Sequence, residues 1–186
     1  MIAIIGKVGV GKSYLIEKLT KKGFRTLKSD NFINEKYKKD QILYKLINEK
    51  IGNFLNDDKG ISKTFLKQWI YQNDHNLDIL EKIVFNALFD ELKNKKYDFV
   101  EIPILINKNY DFSSLFDKVL CLETNEKNYQ KNLEKRNVDN LFKNKIMKKN
   151  NPFLIKKQLF GKLPIVNIYV DEHYENRIID IFLEIL

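Results

Sequence analysis

Gly6-Lys7-Val8-Gly9-Val10-Gly11-Lys12-Ser13 fits G-x-x-x-x-G-K-[ST], the pattern of a phosphate-binding P-loop. Met1-Ile2-Ala3-Ile4-Ile5 precedes it as an apolar run of strand length, and Tyr14-Leu15-Ile16-Glu17-Lys18-Leu19 follows with apolar residues at helical spacing. Strand, glycine loop and helix are the setting the motif requires. Glycine lets the backbone turn tightly and approach a phosphate. The loop N–H groups and the helix N-terminus then favour an anion. Three of the seven glycines in the chain fall in these eight residues, which argues against a chance match. Gly6, Gly9, Val10, Gly11, Lys12, Ser13 and Tyr14 are therefore the expected ATP-binding residues. Lys12 reaches the outer phosphates and Ser13 ligates Mg²⁺ in such a site.

Working outward, the first helix is predicted over 12–22, with Gly23 as its C-terminal cap. Phe24-Arg25-Thr26-Leu27-Lys28 reads as a second strand, and Ser29 or Asp30 as the cap of the next helix. Asp30 then lies at the carboxyl end of a strand, the edge where open α/β sheets bind ligands. Residues 32–96 are helical in pattern, and no strand is expected within them. A crossover needs only a dozen or more residues, so this stretch is read as a helical insertion that holds an acceptor. Further strands are predicted over 97–102, closed by Pro103, and over 117–122 and 165–170. Thr124 or Asn125 caps a helix running to Arg136; the stretch 137–160, polar and lysine-rich over 137–151 and helical over 152–160 up to Gly161, is the natural place for a lid; and a helix over 172–186 closes the chain. Strands alternating with helices imply a parallel sheet with right-handed crossovers. The expected fold is a three-layer α/β/α P-loop NTPase domain with a five-stranded parallel sheet, a helical substrate-binding insertion and a helical lid.

Composition narrows the class. The 186 residues suit one domain, and 44% hydrophobic content with 13 Phe and 9 Tyr can fill a core. No apolar run approaches the roughly 20 residues of a membrane span, and the N-terminus leads straight into the loop rather than through a signal peptide. One cysteine, Cys121, gives no disulfide framework and suits the reducing cytoplasm; on its strand it reads as core, not as a nucleophile. The formal charge of +8 comes almost wholly from scattered lysine, since Arg25, Arg136 and Arg177 are the only arginines. Without aromatic residues interleaved among the basic ones, it reads as solvated surface rather than a nucleic-acid footprint. No membrane partner and a monomer are expected.

The order of these pieces resembles the dephospho-coenzyme A kinase family. Gly9-Val10-Gly11-Lys12-Ser13 stands at the family's G-x-G-S-G-K-[ST], and Lys28-Ser29-Asp30 at its Asp-Ala-Asp signature. Pro103-Ile104-Leu105-Ile106-Asn107 stands at its Pro-Leu-Leu-[Phe/Val]-Glu, and Leu133-Glu134-Lys135-Arg136 at a helix ending in Arg. The chain departs from the family at Lys28 (an Asp), Phe85-Asn86 (a His-Pro pair), Asn107 (a Glu) and Asn132 (an Arg). The resemblance implies transfer of the ATP γ-phosphoryl group to the 3′-hydroxyl of dephospho-CoA, the last step of coenzyme A synthesis. It makes Asp30, Lys12 and Arg136 the candidate catalytic residues, and Asp30, Pro103 and Leu105 the acceptor contacts. Glu101 either supports Mg²⁺ or pairs with Lys12. Two other readings use the same loop: a P-loop kinase for a nucleoside or nucleotide, and a nucleotide-dependent switch or ATPase. The shortage of arginine counts against a nucleoside-monophosphate kinase, which clamps a second phosphate group.

Overall fold

The computed structural model describes residues 1–102, 104–107, 110–134 and 152–170. They fall into two compact units, Ser29–Lys95 and the segments on either side of it, Met1–Lys28 and Lys96–Leu186.

The unit made of the two flanking segments is built on a five-stranded parallel sheet. In chain order its strands are β1 (Ile2–Gly6), β2 (Thr26–Lys28), β5 (Phe99–Glu101), β6 (Lys118–Thr124) and β7 (Ile165–Val170). In space they run β2-β5-β1-β6-β7, so β1 lies at the centre with a parallel neighbour on each side. A strand in that position is buried on both faces, which is why Ile2-Ala3-Ile4-Ile5 is uniformly apolar. Helix α1 (Lys12–Lys21) buries Leu15, Ile16 and Leu19 in a cluster with Ile4, Val10, Phe99, Leu120 and Leu122. Phe24 joins from the edge, its ring 5.2 Å from that of Phe99 in an edge-to-face contact.

The end of α1 is specified by its sequence. Gly23 has φ +93°, and its N–H donates to Thr20 O while that of Phe24 donates to Leu19 O. These two bonds are the Schellman pattern, and the Phe24 ring completes it by covering the last turn.

The unit Ser29–Lys95 is helical, with α2 (Ser29–Lys36), α3 (Ile42–Lys50), α4 (Lys63–Gln72) and α5 (Asp74–Asn94). Helix α5 packs against the other three. Its inward face carries Leu80, Ile83, Val84, Phe85, Leu88 and Leu92. Asn73 opens it, accepting from the His75 N–H at 2.9 Å. Where the family has His-Pro, Phe85 is buried and Asn86 retains the N–H that proline lacks, so α5 runs unbroken for 21 residues.

Two expectations need correction here. A strand pair does interrupt the helical stretch: β3 (Asn56–Asp57) and β4 (Gly60–Ile61) form a small antiparallel hairpin. Asp57 Oδ1 accepts from the Lys59 N–H across its tip, and Ile61 N–H donates to Tyr37 O, tying the hairpin to the end of α2. Ser29 and Asp30 are also not a cap outside the helix but its first two residues, because α2 begins directly after β2. Ser62 occupies the N-cap of α4 without a side-chain capping bond.

The hairpin makes glycine necessary at position 60. Its φ is +137°, and a Cβ there would lie 2.2 Å from Tyr37 O and 2.7 Å from Lys39 N. Both neighbours are backbone and cannot swing aside. Gly60→Ala is expected to cost about 3 kcal/mol or more of stability, read as a shift of the denaturant midpoint. A cost below about 1 kcal/mol would show that the hairpin yields easily.

Helix α6 (Glu126–Glu134) follows β6, and α7 (Pro152–Leu159) precedes β7. Of the two candidate caps, Asn125 takes the role, its Oδ1 accepting from the Asn128 N–H at 2.7 Å. Gly161, at φ +75°, follows α7. Arg136, Pro103, the closing helix 172–186 and the first part of the expected lid lie outside the described residues. Among the described residues no helix is long and apolar enough to cross a membrane.

Candidate active site

The chain leaves β1 at Gly6 and enters α1 at Lys12, so the loop stands at the carboxyl edge of the central strand. Gly6, Gly9 and Gly11 have φ of +150°, +86° and +104°. Gly6 is also hemmed in, since a Cβ would lie 2.6 Å from Leu122 O. Val10 turns its side chain into the core, 2% exposed, and so offers a ligand only main chain. Leu15 N–H makes the first α1 bond, to Gly11 O at 3.1 Å. The N–H groups of the preceding first turn, those of Ser13 and Tyr14 among them, have no partner within the helix and suit a phosphate.

Lys12 is 8% exposed, and its Nζ donates to Gly6 O at 2.8 Å and Lys7 O at 2.9 Å. The ammonium is thus drawn back over the loop, where phosphate oxygens would sit. Lys7 lies over the Tyr129 ring at 5.1 Å, and Lys18 over the Tyr14 ring at 5.3 Å.

Ser13 Oγ donates toward the Glu101 carboxylate, 3.3 Å from Oε1 and 3.2 Å from Oε2. Glu101 ends β5, paired in register with Ile4 of β1. A hydroxyl and a carboxylate converging here are hard oxygen donors of the kind Mg²⁺ takes, with phosphates and water completing its shell. No cluster of three or more His, Cys, Asp or Glu suited to a metal occurs among the described residues. The donor set therefore fits an ion shared with a nucleotide rather than one caged by protein.

The remaining sequence-predicted residues are placed as follows. Asp30 is exposed in the first turn of α2, where its charge also favours the helix dipole. Leu105 is fully buried, and Phe112 N–H donates to its carbonyl. Asn107, at the family's Glu position, holds a turn: its Oδ1 accepts from Tyr110 N–H, and its own N–H donates to Tyr110 O, both at 2.8 Å. Burial pushes the Cys121 thiol up to about 11, with Lys156 opposing, so at neutral pH it is no nucleophile. Beside Glu101, sequence reasoning missed the pair of Lys28 Nζ with Glu17 Oε1 at 2.6 Å.

A sequence model of the dephospho-CoA kinase family matches residues 1–171. The chain belongs to the dephospho-CoA kinase family. A relative from Mycoplasma genitalium named dephospho-CoA kinase is 31% identical over 144 residues, 74% of this chain and 73% of its own. The dephospho-CoA kinase from Campylobacter jejuni shares the fold, with TM-score 0.61 and 19% identity over 99% of this chain and 96% of that one. A shikimate kinase from Acinetobacter baumannii, solved with shikimate, has TM-score 0.51 and 18% identity over 99% of this chain and 90% of its own. The family is one of ATP-dependent kinases. The same fold carries kinases of different acceptors, so family membership rather than architecture points to the acceptor.

Proposed function

We propose that this chain transfers the γ-phosphoryl group of ATP to the 3′-hydroxyl of dephospho-CoA, forming coenzyme A and ADP. The observation that supports it most is the glycine loop at the end of β1, where Lys12, the α1 N-terminus and the Ser13–Glu101 pair converge in a member of this family. Transfer forms a bond from the acceptor oxygen to the γ-phosphorus and breaks the bond to the β–γ bridging oxygen. Such a reaction needs positioning and charge neutralisation more than covalent help.

Gly6, Gly9, Val10, Gly11, Ser13 and Tyr14 hold the phosphates through main-chain N–H groups, and Lys12 neutralises the outer ones. Ser13, with Glu101 beside it, would hold Mg²⁺, which would supply positive charge to offset that of the phosphates. Asp30 accepts the acceptor's hydroxyl proton or orients that hydroxyl. Arg136 stabilises the charge of the transferring group, as a planar donor that stays protonated. Pro103 and Leu105, which follow β5 in the chain, are assigned to the acceptor side. The helical unit Ser29–Lys95 carries acceptor contacts, and 137–160 acts as the lid. The reading extends to a monomeric enzyme of the cytoplasm acting on small molecules, without nucleic acid; the buried free thiol of Cys121 suits a reducing compartment.

The test is a mass-spectrometric transfer assay with Mg·ATP and dephospho-CoA, beside nucleosides, nucleoside monophosphates and shikimate. Coenzyme A formation at a rate well above that for any other acceptor is expected. Phosphorylation of another acceptor instead, or ATP hydrolysis with none phosphorylated, overturns the reading.

A further inference from the structure

A charged pair, Lys28 with Glu17, lies beside the proposed metal site and has no part in the proposed reaction. Helix α1 presents Ser13 and Glu17 one turn apart on one face. Two side chains from the sheet meet that face: Glu101 reaches Ser13 at 3.2–3.3 Å, and Lys28 reaches Glu17 at 2.6 Å. The β2–β5 register sets Lys28 directly opposite Glu101. Neighbouring strands lie about 4.8 Å apart, and since both side chains reach α1, both leave the sheet on the same side.

This juxtaposition poses an electrostatic problem. An ammonium on a long flexible stem stands next to Glu101, the carboxylate beside the proposed Mg²⁺ ligand. The Lys28 side chain is only 18% exposed, whereas that of Glu17 is 62% exposed. A half-enclosed cation takes the nearest carboxylate it can reach, and the alternatives are one helical turn apart. Without Glu17, the Lys28 ammonium would turn to Glu101, pull it from Ser13 and compete with the divalent ion.

We propose that Glu17 is a positioning residue for the divalent-cation site: by engaging Lys28 it keeps that ammonium from drawing Glu101 off Ser13. This inference rests on the reading of Ser13 as the Mg²⁺ ligand. The pair is local: an ammonium at the end of β2 is balanced by a carboxylate on the helix packed against that strand. Its role is to set how readily the site takes the metal, not to touch substrate.

The experiment is ATP binding by calorimetry in the full chain, with Mg²⁺ and with chelator. In Glu17→Gln the metal concentration giving half of the Mg²⁺-dependent gain in affinity should rise about fivefold, the upper range for one partly exposed charge contact. Affinity for ATP in chelator should stay within about twofold. In the double variant Glu17→Gln/Lys28→Met the metal requirement should return to within about twofold of the unaltered chain. A Glu17→Gln value within twofold overturns the inference, as does a double variant that keeps the defect or an equal loss of affinity in chelator. Ser13→Ala separates the two levels. If it abolishes the Mg²⁺-dependent gain while Glu17→Gln does nothing, only the inference fails. If it keeps the full gain, the metal-ligand reading fails and the inference with it.

Discussion

Lys12→Ala should lower kcat/KM for phosphoryl transfer by about 10³-fold, the size of effect that follows loss of an oriented donor at a developing charge. The ammonium is already aimed, held between Gly6 O and Lys7 O and 8% exposed. Its transfer to phosphate oxygens needs only a short swing, so little of its stabilisation is spent on ordering a long side chain. Alanine leaves two loop carbonyls without that donor, at a cost of about 1–3 kcal/mol where water cannot replace it. A modest loss of stability should therefore accompany the loss of rate. Circular dichroism at the assay temperature separates the two, since a folded variant with little turnover is the expected result. Turnover within about threefold of the unaltered chain would sink the assignment of the loop.

Asp30→Asn should reduce kcat by about 10²–10³-fold while ATP affinity changes less than about twofold. Asparagine keeps the size and one oxygen of the side chain but cannot carry away a proton. The alternative for Asp30 is purely structural. As an acid in the first turn of α2 it stabilises the helix dipole by about 0.3–1 kcal/mol. On that alternative the variant loses a little stability and keeps its rate to within about threefold. Single-turnover kinetics with pre-bound ATP distinguishes the outcomes, because it reads the chemical step apart from binding.

The sequence was most informative where local chemistry forces local structure. The eight residues of the loop, the apolar run before them and Gly23 after the helix each specify one backbone solution, and β1, α1 and the Schellman end of α1 follow. The strand 117–122 was legible because an inner parallel strand is apolar along most of its length, and 165–170, at the sheet edge, because β-branched and aromatic residues dominate it. The β3–β4 hairpin was not, because each strand is two residues long and shows no period. Its only local sign was the polar turn Asp57-Asp58-Lys59-Gly60, and its pairing with Tyr37–Lys39 joins residues about twenty apart.

The site divides in the same way. The loop residues are contiguous and could be read directly. Ser13 and Glu101 are 88 residues apart, and only the β1–β5 register brings them together. Lys28 read as a mere departure from the family, because its partner Glu17 belongs to a helix whose rotation the sequence does not reveal. Asn107 shows the same limit, since its turn with Tyr110 appears only once the loop is built.

The acceptors that steady Lys12 are carbonyl oxygens of the main chain, and so are the N–H groups offered to phosphate. No codon change can delete a peptide carbonyl. Solvent-facing side chains around the loop can change without altering that scaffold, provided its three glycines, the core packing of Val10 and Lys12 persist. Phosphate binding here is therefore carried by backbone shape more than by side chains, so its tolerance to substitution around the loop should exceed that of the acceptor and metal contacts.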